Sequence, residues 1–175
     1  LVIEEYYTVP DSGGAGFHRG GNALATTYKF LEPGNVSIHD DRWLTYPWGV
    51  NGGHPGARST KTLVRKNGDT EILPSKCDRL QVHEGDTLYH VTWGGGGWGD
   101  PFTRPAERVA FDVEAGLLTR DGAKGNYGVI VKPDYTVSKA ATTKLRAKMS
   151  KARGKTKLFD KGFENIAELK KRCKE

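Results

Sequence analysis

A glycine-rich loop near the amino terminus carries the polar groups best suited to chemistry. Residues 11–21 read Asp-Ser-Gly-Gly-Ala-Gly-Phe-His-Arg-Gly-Gly. Closely spaced glycines leave backbone amides free to bind an anion or a carbonyl oxygen, and the planar guanidinium of an arginine matches a carboxylate or phosphate. The loop is therefore predicted to face the active site and to bind substrate through six residues: Ser12, Gly13, Gly14, Gly16, His18 and Arg19.

Two structural alternatives compete with this interpretation of the loop. Its glycines could serve only to admit another stretch of backbone, and Arg19 could pair with Asp11 to pin the loop shut. Ser12 lacks the Gly-x-Ser-x-Gly elbow that presents a serine nucleophile, so no catalytic residue is assigned from the sequence.

A second glycine run, Gly94–Gly99, matches G-x-G-x-x-G and follows a predicted strand. Asp100-Pro101 comes directly after it, however, and the predicted helix begins several residues later. A dinucleotide site needs the helix amino terminus immediately after the loop. The run therefore predicts a close-packed bend that leads into a helix.

No metal site is predicted within this chain. His39, Asp40 and Asp41 are neighbours in a predicted strand, where successive side chains point to opposite faces and cannot converge on one ion. Cys77 and Cys173 lie far apart, which excludes a disulfide scaffold and a cysteine-only zinc site within the chain.

Turn signals spaced about 8–12 residues apart predict an antiparallel, β-rich body over about residues 1–100. Residues 46–56 are predicted to be loop, and two pairs of neighbouring strands are expected to form hairpins: 3–9 with 23–30, and 79–82 with 87–93. The predicted strands are Ile3–Val9, Ala23–Phe30, Val36–His39, Lys61–Arg65, Thr70–Leu73, Arg79–Val82 and Thr87–Trp93.

Helices are predicted after residue 100, which makes the fold class α+β. The first is expected to be capped by Thr103, to hold Pro105 in its first turn and to stop at Gly116. A short helix over 119–126 and a short strand over 127–132 follow. Ser138 is expected to cap a helix that runs to about residue 152, and a last helix is predicted over 163–174. These elements divide the chain into three: a glycine-rich β body (1–100), a helical segment with a short strand (101–132) and a basic helical tail (133–175).

Composition limits the functional classes. The 175 residues include 23 glycines and carry a net charge of +6, and residues 139–175 alone carry +9. No apolar stretch approaches the roughly 18 residues of a membrane span, and the absence of a secretory signal indicates the cytoplasm. The basic tail has few aromatic residues to stack on bases, which disfavours nucleic acid as a partner. The chain begins without methionine, so we expect either processing or a segment of a longer protein.

Six segments of the sequence, in order, resemble the hydantoinase B/5-oxoprolinase family. The sequence departs from the family pattern at Phe17-His18, where an aromatic or basic residue with arginine is usual, and at Trp98, where tyrosine is usual. The resembling segments are DSGGAGFHRGG at 11–21, FLEPG at 30–34 with Asp41-Arg42, PWGVNGGHPG at 47–56, LPSK at 73–76 with GD at 85–86, GGGGWGDP at 94–101 with YGV at 127–129, and LFDKG at 158–162 with ELKKRC at 168–173.

The resemblance implies that this chain is the C-terminal part of a longer subunit. Such a subunit works beside a hydantoinase A-type partner that binds ATP and Mg²⁺, and the family's metal-binding residues lie in the N-terminal part, absent here. Members either carboxylate a ketone through phosphorylated intermediates or hydrolyse a cyclic amide such as a hydantoin, 5-oxoproline or a lactam.

From the resemblance we expect ketone carboxylation first, cyclic amide hydrolysis second and a purely structural assembly role third. The chain alone is expected to be inactive. Its first strand is expected to be an inner strand of a sheet that the missing part begins, because an exposed apolar edge invites aggregation.

Overall fold

The computed structural model describes residues 1–163 and residue 167. An antiparallel sheet of five strands, in the order β1-β2-β8-β5-β6, forms its centre. Two further two-stranded sheets pair β3 with β7 and β4 with β9. The strands are β1 (Val2–Thr8), β2 (Leu24–Lys29), β3 (Gly34–His39), β4 (Gly49–Val50), β5 (Thr60–Val64), β6 (Thr70–Ile72), β7 (Lys76–Val82), β8 (Thr87–Val91) and β9 (Phe159–Asp160).

The helices follow the strands, and the α+β prediction is confirmed. A 3₁₀ turn, Pro101–Thr103, leads into α1 (Ala106–Glu114), α2 (Arg120–Tyr127) and α3 (Lys139–Arg153). None of these helices is both long enough and apolar enough to cross a membrane. The predicted helix over 163–174 lies outside the described residues, apart from two positions.

Local sequence signals set several of these boundaries. The Asn67-Gly68-Asp69 turn joins β5 to β6, with Gly68 at a φ of +95° that favours glycine. Thr119 caps α2 by accepting a hydrogen bond from the Gly122 amide at 2.9 Å. The predicted hairpin of β1 with β2 and the predicted helix from Ser138 are both confirmed.

The structure corrects four local expectations. β7 pairs with β3 and not with β8, because the turn after β7 carries the chain from the small sheet to the main one, where β8 lies between β2 and β5. The segment predicted to be loop over 46–56 contains the short strand β4. Thr103 belongs to the 3₁₀ turn capped by Asp100, so α1 begins after Pro105. The predicted strand over 127–132 is absent, since Tyr127 ends α2 and only Val131 makes a bridge.

Two apolar clusters stabilise the fold. One lies on the main sheet beneath the β3–β7 ribbon and contains Phe30, Leu63, Leu73, Val82 and Leu88. The other joins the helices to the first glycine loop through Ala15 and contains Val109, Ala110, Val113, Leu118, Ala123, Tyr127, Val129 and Val131. The first glycine loop is therefore anchored in the helical core as well as on the sheet.

Candidate functional site

Three glycine-rich loops, residues 11–21, 47–56 and 94–99, meet backbone to backbone in what we call the glycine knot. Gly14 donates its amide hydrogen to the Gly95 carbonyl at 2.8 Å. The His54 amide donates to the Ala15 carbonyl at 2.7 Å, and the Gly97 amide donates to the His54 carbonyl at 2.9 Å. Each loop is thus hydrogen bonded to the other two, in the manner of neighbouring strands.

The knot requires glycine because its chains approach closer than side chains allow. A Cβ atom on Gly14 would lie 2.6 Å from the backbone nitrogen of Gly97, and one on Gly16 would lie 2.6 Å from the carbonyl oxygen of Trp98. The alternative stated for the first loop, that glycines there admit another backbone, is confirmed at these two positions. The expectation of a close-packed bend at Gly94–Gly99 is confirmed as well.

Ser12 is buried at the base of the first loop. Its hydroxyl donates to the Val9 carbonyl at 2.6 Å and accepts the Ala23 amide hydrogen at 2.7 Å. These bonds join the two ends of the loop next to the β1–β2 pair. In this structure the hydroxyl holds the loop in place.

Arg19 ties the first loop to α1. Its Nε lies 3.3 Å from the carboxylate of Asp112, which is buried and also accepts a hydrogen bond from Arg104 at 2.8 Å. The suggested pairing of Arg19 with Asp11 is wrong. The Asp11 carboxylate instead accepts hydrogen bonds from the amide and hydroxyl of Thr119 at 2.9 and 2.6 Å, at the start of α2.

His18 lies on the exposed side of the knot, beside Trp98. The two residues exchange backbone hydrogen bonds of 3.0 and 2.9 Å, and their ring centroids are 5.6 Å apart. Trp98 also bridges Val50, which pairs with Phe159 in β9. Paired residues share a face, so this side of the knot carries a row of aromatic side chains.

Two open clefts flank the knot and share His54 and Asp160 in their walls. The knot cleft has a volume of about 310 Å³, and the basic cleft about 160 Å³. Of the six residues predicted to bind substrate, only Gly13 lines either cleft. The knot cleft is lined by Asp11, Gly13, Ala15, His54, Pro55, Asn126 and Asp160. The basic cleft is lined by Gly52, Gly53, His54, Arg153, Lys155, Thr156, Lys157 and Asp160.

His54 is the titratable group best placed to do chemistry in these clefts. Burial lowers the pKa of His54 below its usual 6.5; the charge of Asp160 opposes this shift and that of Arg153 adds to it. The imidazole is therefore neutral at pH 7 and can accept a proton from a water molecule or a substrate. Both backbone groups of His54 are fixed by the knot, which holds the side chain where the two clefts meet.

His54, Asn126 and Asp160 were not predicted as site residues from the sequence. His54 lies inside the run PWGVNGGHPG, so that segment was a usable signal. Asn126 and Asp160 reach the cleft from α2 and β9, and no spacing in the sequence predicts that meeting. In the part of the chain that the structure describes, no His, Cys, Asp and Glu side chains cluster as a metal site would need.

The profile of the hydantoinase B/oxoprolinase family matches residues 1–101. The chain belongs to this family. Its β body and its glycine knot down to Pro101 are thus the part of the chain that the family profile covers.

Relatives with named activities include both hydrolases and a carboxylase. The chain is 31% identical to the beta subunit of the caprolactamase of Pseudomonas jessenii over 84% of its own length and 26% of the relative's. It is 30% identical to the B subunit of a D-/L-hydantoinase, so named by similarity, of a Pseudomonas species, over 83% and 25% of the two chains. It is 28% identical to the acetone carboxylase alpha subunit of Xanthobacter autotrophicus, over 81% and 23%.

Solved structures share the fold. The ATP-dependent caprolactamase from Pseudomonas jessenii superposes with a TM-score of 0.66 at 30% identity, covering 83% of this chain and 26% of that one. A nucleotide-free acetone carboxylase gives a TM-score of 0.63 at 21% identity, with 87% and 25% covered, and so shares the fold. The chain spans about a quarter of the length of these relatives.

Proposed function

We propose that the whole protein is a subunit of an ATP-dependent enzyme that hydrolyses a cyclic amide. The observation that carries this proposal is the similarity to the caprolactamase, which holds in sequence and in fold over more than four fifths of this chain. The hydantoinase relative supports the same class of substrate. Cyclic amide hydrolysis is thereby ranked ahead of ketone carboxylation, the reverse of the order expected from the sequence.

Ketone carboxylation is the second candidate. The alignment with the acetone carboxylase alpha subunit supports it, because it extends over 81% of this chain. The two reactions make opposite demands on water. A hydrolase must admit water to the activated carbonyl, whereas a carboxylase must exclude it from intermediates that hydrolyse.

ATP and Mg²⁺ are proposed to bind to a partner subunit of the hydantoinase A type. The hydantoinase and caprolactamase relatives are each named as one subunit of an enzyme, which supports the existence of such a partner. Any divalent metal is proposed to bind in the remaining three quarters of this subunit.

Within this chain, the knot cleft is the proposed point of contact with the small-molecule substrate. Gly13 and Ala15 supply backbone groups, and neutral His54 supplies a proton acceptor beside Asp160. Ser12, Gly14, Gly16 and Arg19 then act as positioning residues that keep the first loop against the other two. His18 and the aromatic row lie outside both clefts, so substrate binding by His18 would need a surface from elsewhere in the assembly.

The test uses the full-length subunit together with its ATP-binding partner. The complex is incubated with ATP, Mg²⁺ and, in turn, hydantoin, 5-oxoproline and caprolactam, and in parallel with acetone and labelled bicarbonate. Mass spectrometry of the products should reveal a ring-opened amino acid formed in proportion to ADP. Label in a β-keto acid, with no ring opening, would overturn the first candidate in favour of the second.

A further inference from the structure

The basic cleft is built by two segments that cross beside the knot. The Asn51 amide donates to the Leu158 carbonyl and the Gly52 amide to the Lys157 carbonyl, both at 2.8 Å. The pairing of β4 with β9 continues this contact. The chain after α3 is thereby fixed against the second glycine loop, and the side chains at 155–157 are held over the cleft.

The cleft has an excess of positive charge. Lys155 and Lys157 form no ion pair with any residue that the structure describes. Asp160 is the only acidic residue in the lining, and its carboxylate already accepts the Gly162 amide hydrogen at 3.1 Å. The two lysines therefore leave a net positive field inside a space that is open to solvent on one side.

Arg153 adds a hydrogen-bond donor that lacks an acceptor. Its two terminal nitrogens bind the Asp100 carboxylate at 2.8 and 2.7 Å, which fixes the guanidinium rigidly. Its Nε is buried and has no hydrogen-bond partner among the described residues. A buried donor without a partner is unfavourable and rare in native proteins, so an acceptor at this point would be stabilising.

We propose that the basic cleft binds a small oxyanion, either phosphate or a carboxylate. Two lysine ammonium groups, the Arg153 guanidinium edge and the Thr156 hydroxyl surround it with donors and with no competing acceptor except Asp160. Charge-assisted hydrogen bonds of this kind are about twice as strong as neutral ones. The volume of about 160 Å³ accommodates one such anion with a few water molecules, each of which takes about 30 Å³.

The anion site is independent of which reaction the enzyme catalyses. The anion would lie on the other side of His54 and Asp160 from the knot cleft, since both residues line both clefts. A bound phosphate or carboxylate would therefore be in electrostatic contact with the proposed substrate site.

The experiment is calorimetric titration of the full-length subunit with inorganic phosphate and, separately, with acetate, at constant ionic strength in chloride. The test variant is Lys155→Gln/Lys157→Gln. The matched control is Lys144→Gln/Lys148→Gln, which removes the same charge from exposed positions of α3. Melting temperatures of both variants are measured first to verify that they fold.

We expect the test variant to weaken binding of the anion at least tenfold and the control to change it less than twofold. Tighter binding of phosphate than of acetate would identify a phosphate site, and the reverse a carboxylate site. The proposal is overturned if neither anion binds the wild-type subunit, or if binding is the same in both variants. Should the test variant fail to fold, Thr156→Val replaces it, with a smaller loss of affinity expected and an unchanged affinity contradicting the proposal.

Discussion

At the scale of single residues, the six positions predicted to bind substrate mostly hold the first loop in place. Gly14 and Gly16 are occupied by neighbouring backbone, Ser12 bridges the loop ends, and Arg19 is bonded to Asp112. The sequence predicted which loop matters but not which atoms of it remain accessible, because hydrogen-bond partners from distant segments decide that.

Gly16→Ala should destabilise the protein. The added Cβ would meet the backbone of Trp98 and His18, which cannot move without opening the knot. Overpacking of this kind costs about 1–3 kcal/mol. The control is Gly125→Ala in α2, where no heavy atom lies within 4 Å of the new Cβ and the change should stabilise the helix by about 0.5–1 kcal/mol. Scanning calorimetry of the full-length subunit compares the two, and equal melting temperatures would refute the need for glycine.

Two half-buried histidines should make stability depend on pH. Burial lowers the pKa of His54 and His90 below 6.5, so the unfolded chain binds protons that the folded chain does not. Stability is then complete above about 6.5 and decreases as the pH falls through that value. Asp40 and Asp86, whose pKa values are held below 3.8 by hydrogen bonds despite burial, lose their contribution only in stronger acid.

The measurement is the melting temperature of the full-length subunit at pH 7.5 and pH 5.5. We expect a decrease at the lower pH, and a smaller decrease in the variant His54→Gln/His90→Gln. If the double variant loses as much as the wild type, other groups are responsible.

At the scale of elements, a buried ion pair connects the end of β3 to β5. Lys61 is fully buried, Asp40 is 3% exposed, and one oxygen of Asp40 accepts hydrogen bonds from both Lys61 and Ser59. Burial would raise the pKa of Asp40, but these hydrogen bonds lower it. The small β3–β7 sheet is thus fastened to the main sheet by a charged contact as well as by the apolar cluster.

Lys61→Met should destabilise the protein strongly, by about 3–5 kcal/mol, because it leaves a carboxylate buried without its cation. The double variant Asp40→Asn/Lys61→Met removes both charges and should lose much less. A double-mutant comparison of unfolding temperatures tests this. Losses that simply add would contradict a direct interaction.

Local patterns predicted the elements better than their partners. Alternation and turn residues predicted the β1–β2 hairpin, and capping residues predicted the starts of α2 and α3. The pairing of β7 with β3 and of β4 with β9 joins segments that are distant in sequence, and no local propensity encodes such a choice. The cleft around His54 was missed for the same reason, since its walls come from three separate parts of the chain.

At the scale of the whole molecule, β1 is the element that most needs a neighbour. It lies at one end of the five-strand order and pairs only with β2 among the described strands. Ile3 and Tyr6 are 55% and 65% exposed on its two faces, and a depression of about 530 Å³ opens between Leu1, Phe30 and Val82. Unpaired apolar edges of this kind are sites of association.

We expect the rest of the subunit to cover β1, as predicted from the sequence. Hydrogen–deuterium exchange of the full-length subunit should then find all amides of Val2–Thr8 protected. A free edge would leave alternate amides of β1 exchanging within seconds, as in any strand bonded on one side only. That outcome would exclude β1 as the junction with the rest of the chain.

Dependence on ATP and on the partner subunit tests the central claim most directly. The measurement is phosphate release from ATP in the presence of the full-length subunit, of its ATP-binding partner and of the two together, each with and without a cyclic amide. We predict release stimulated by the amide only in the complex, with one ring opened for each ATP consumed. Ring opening without the partner, or in the complex without ATP, would contradict the account.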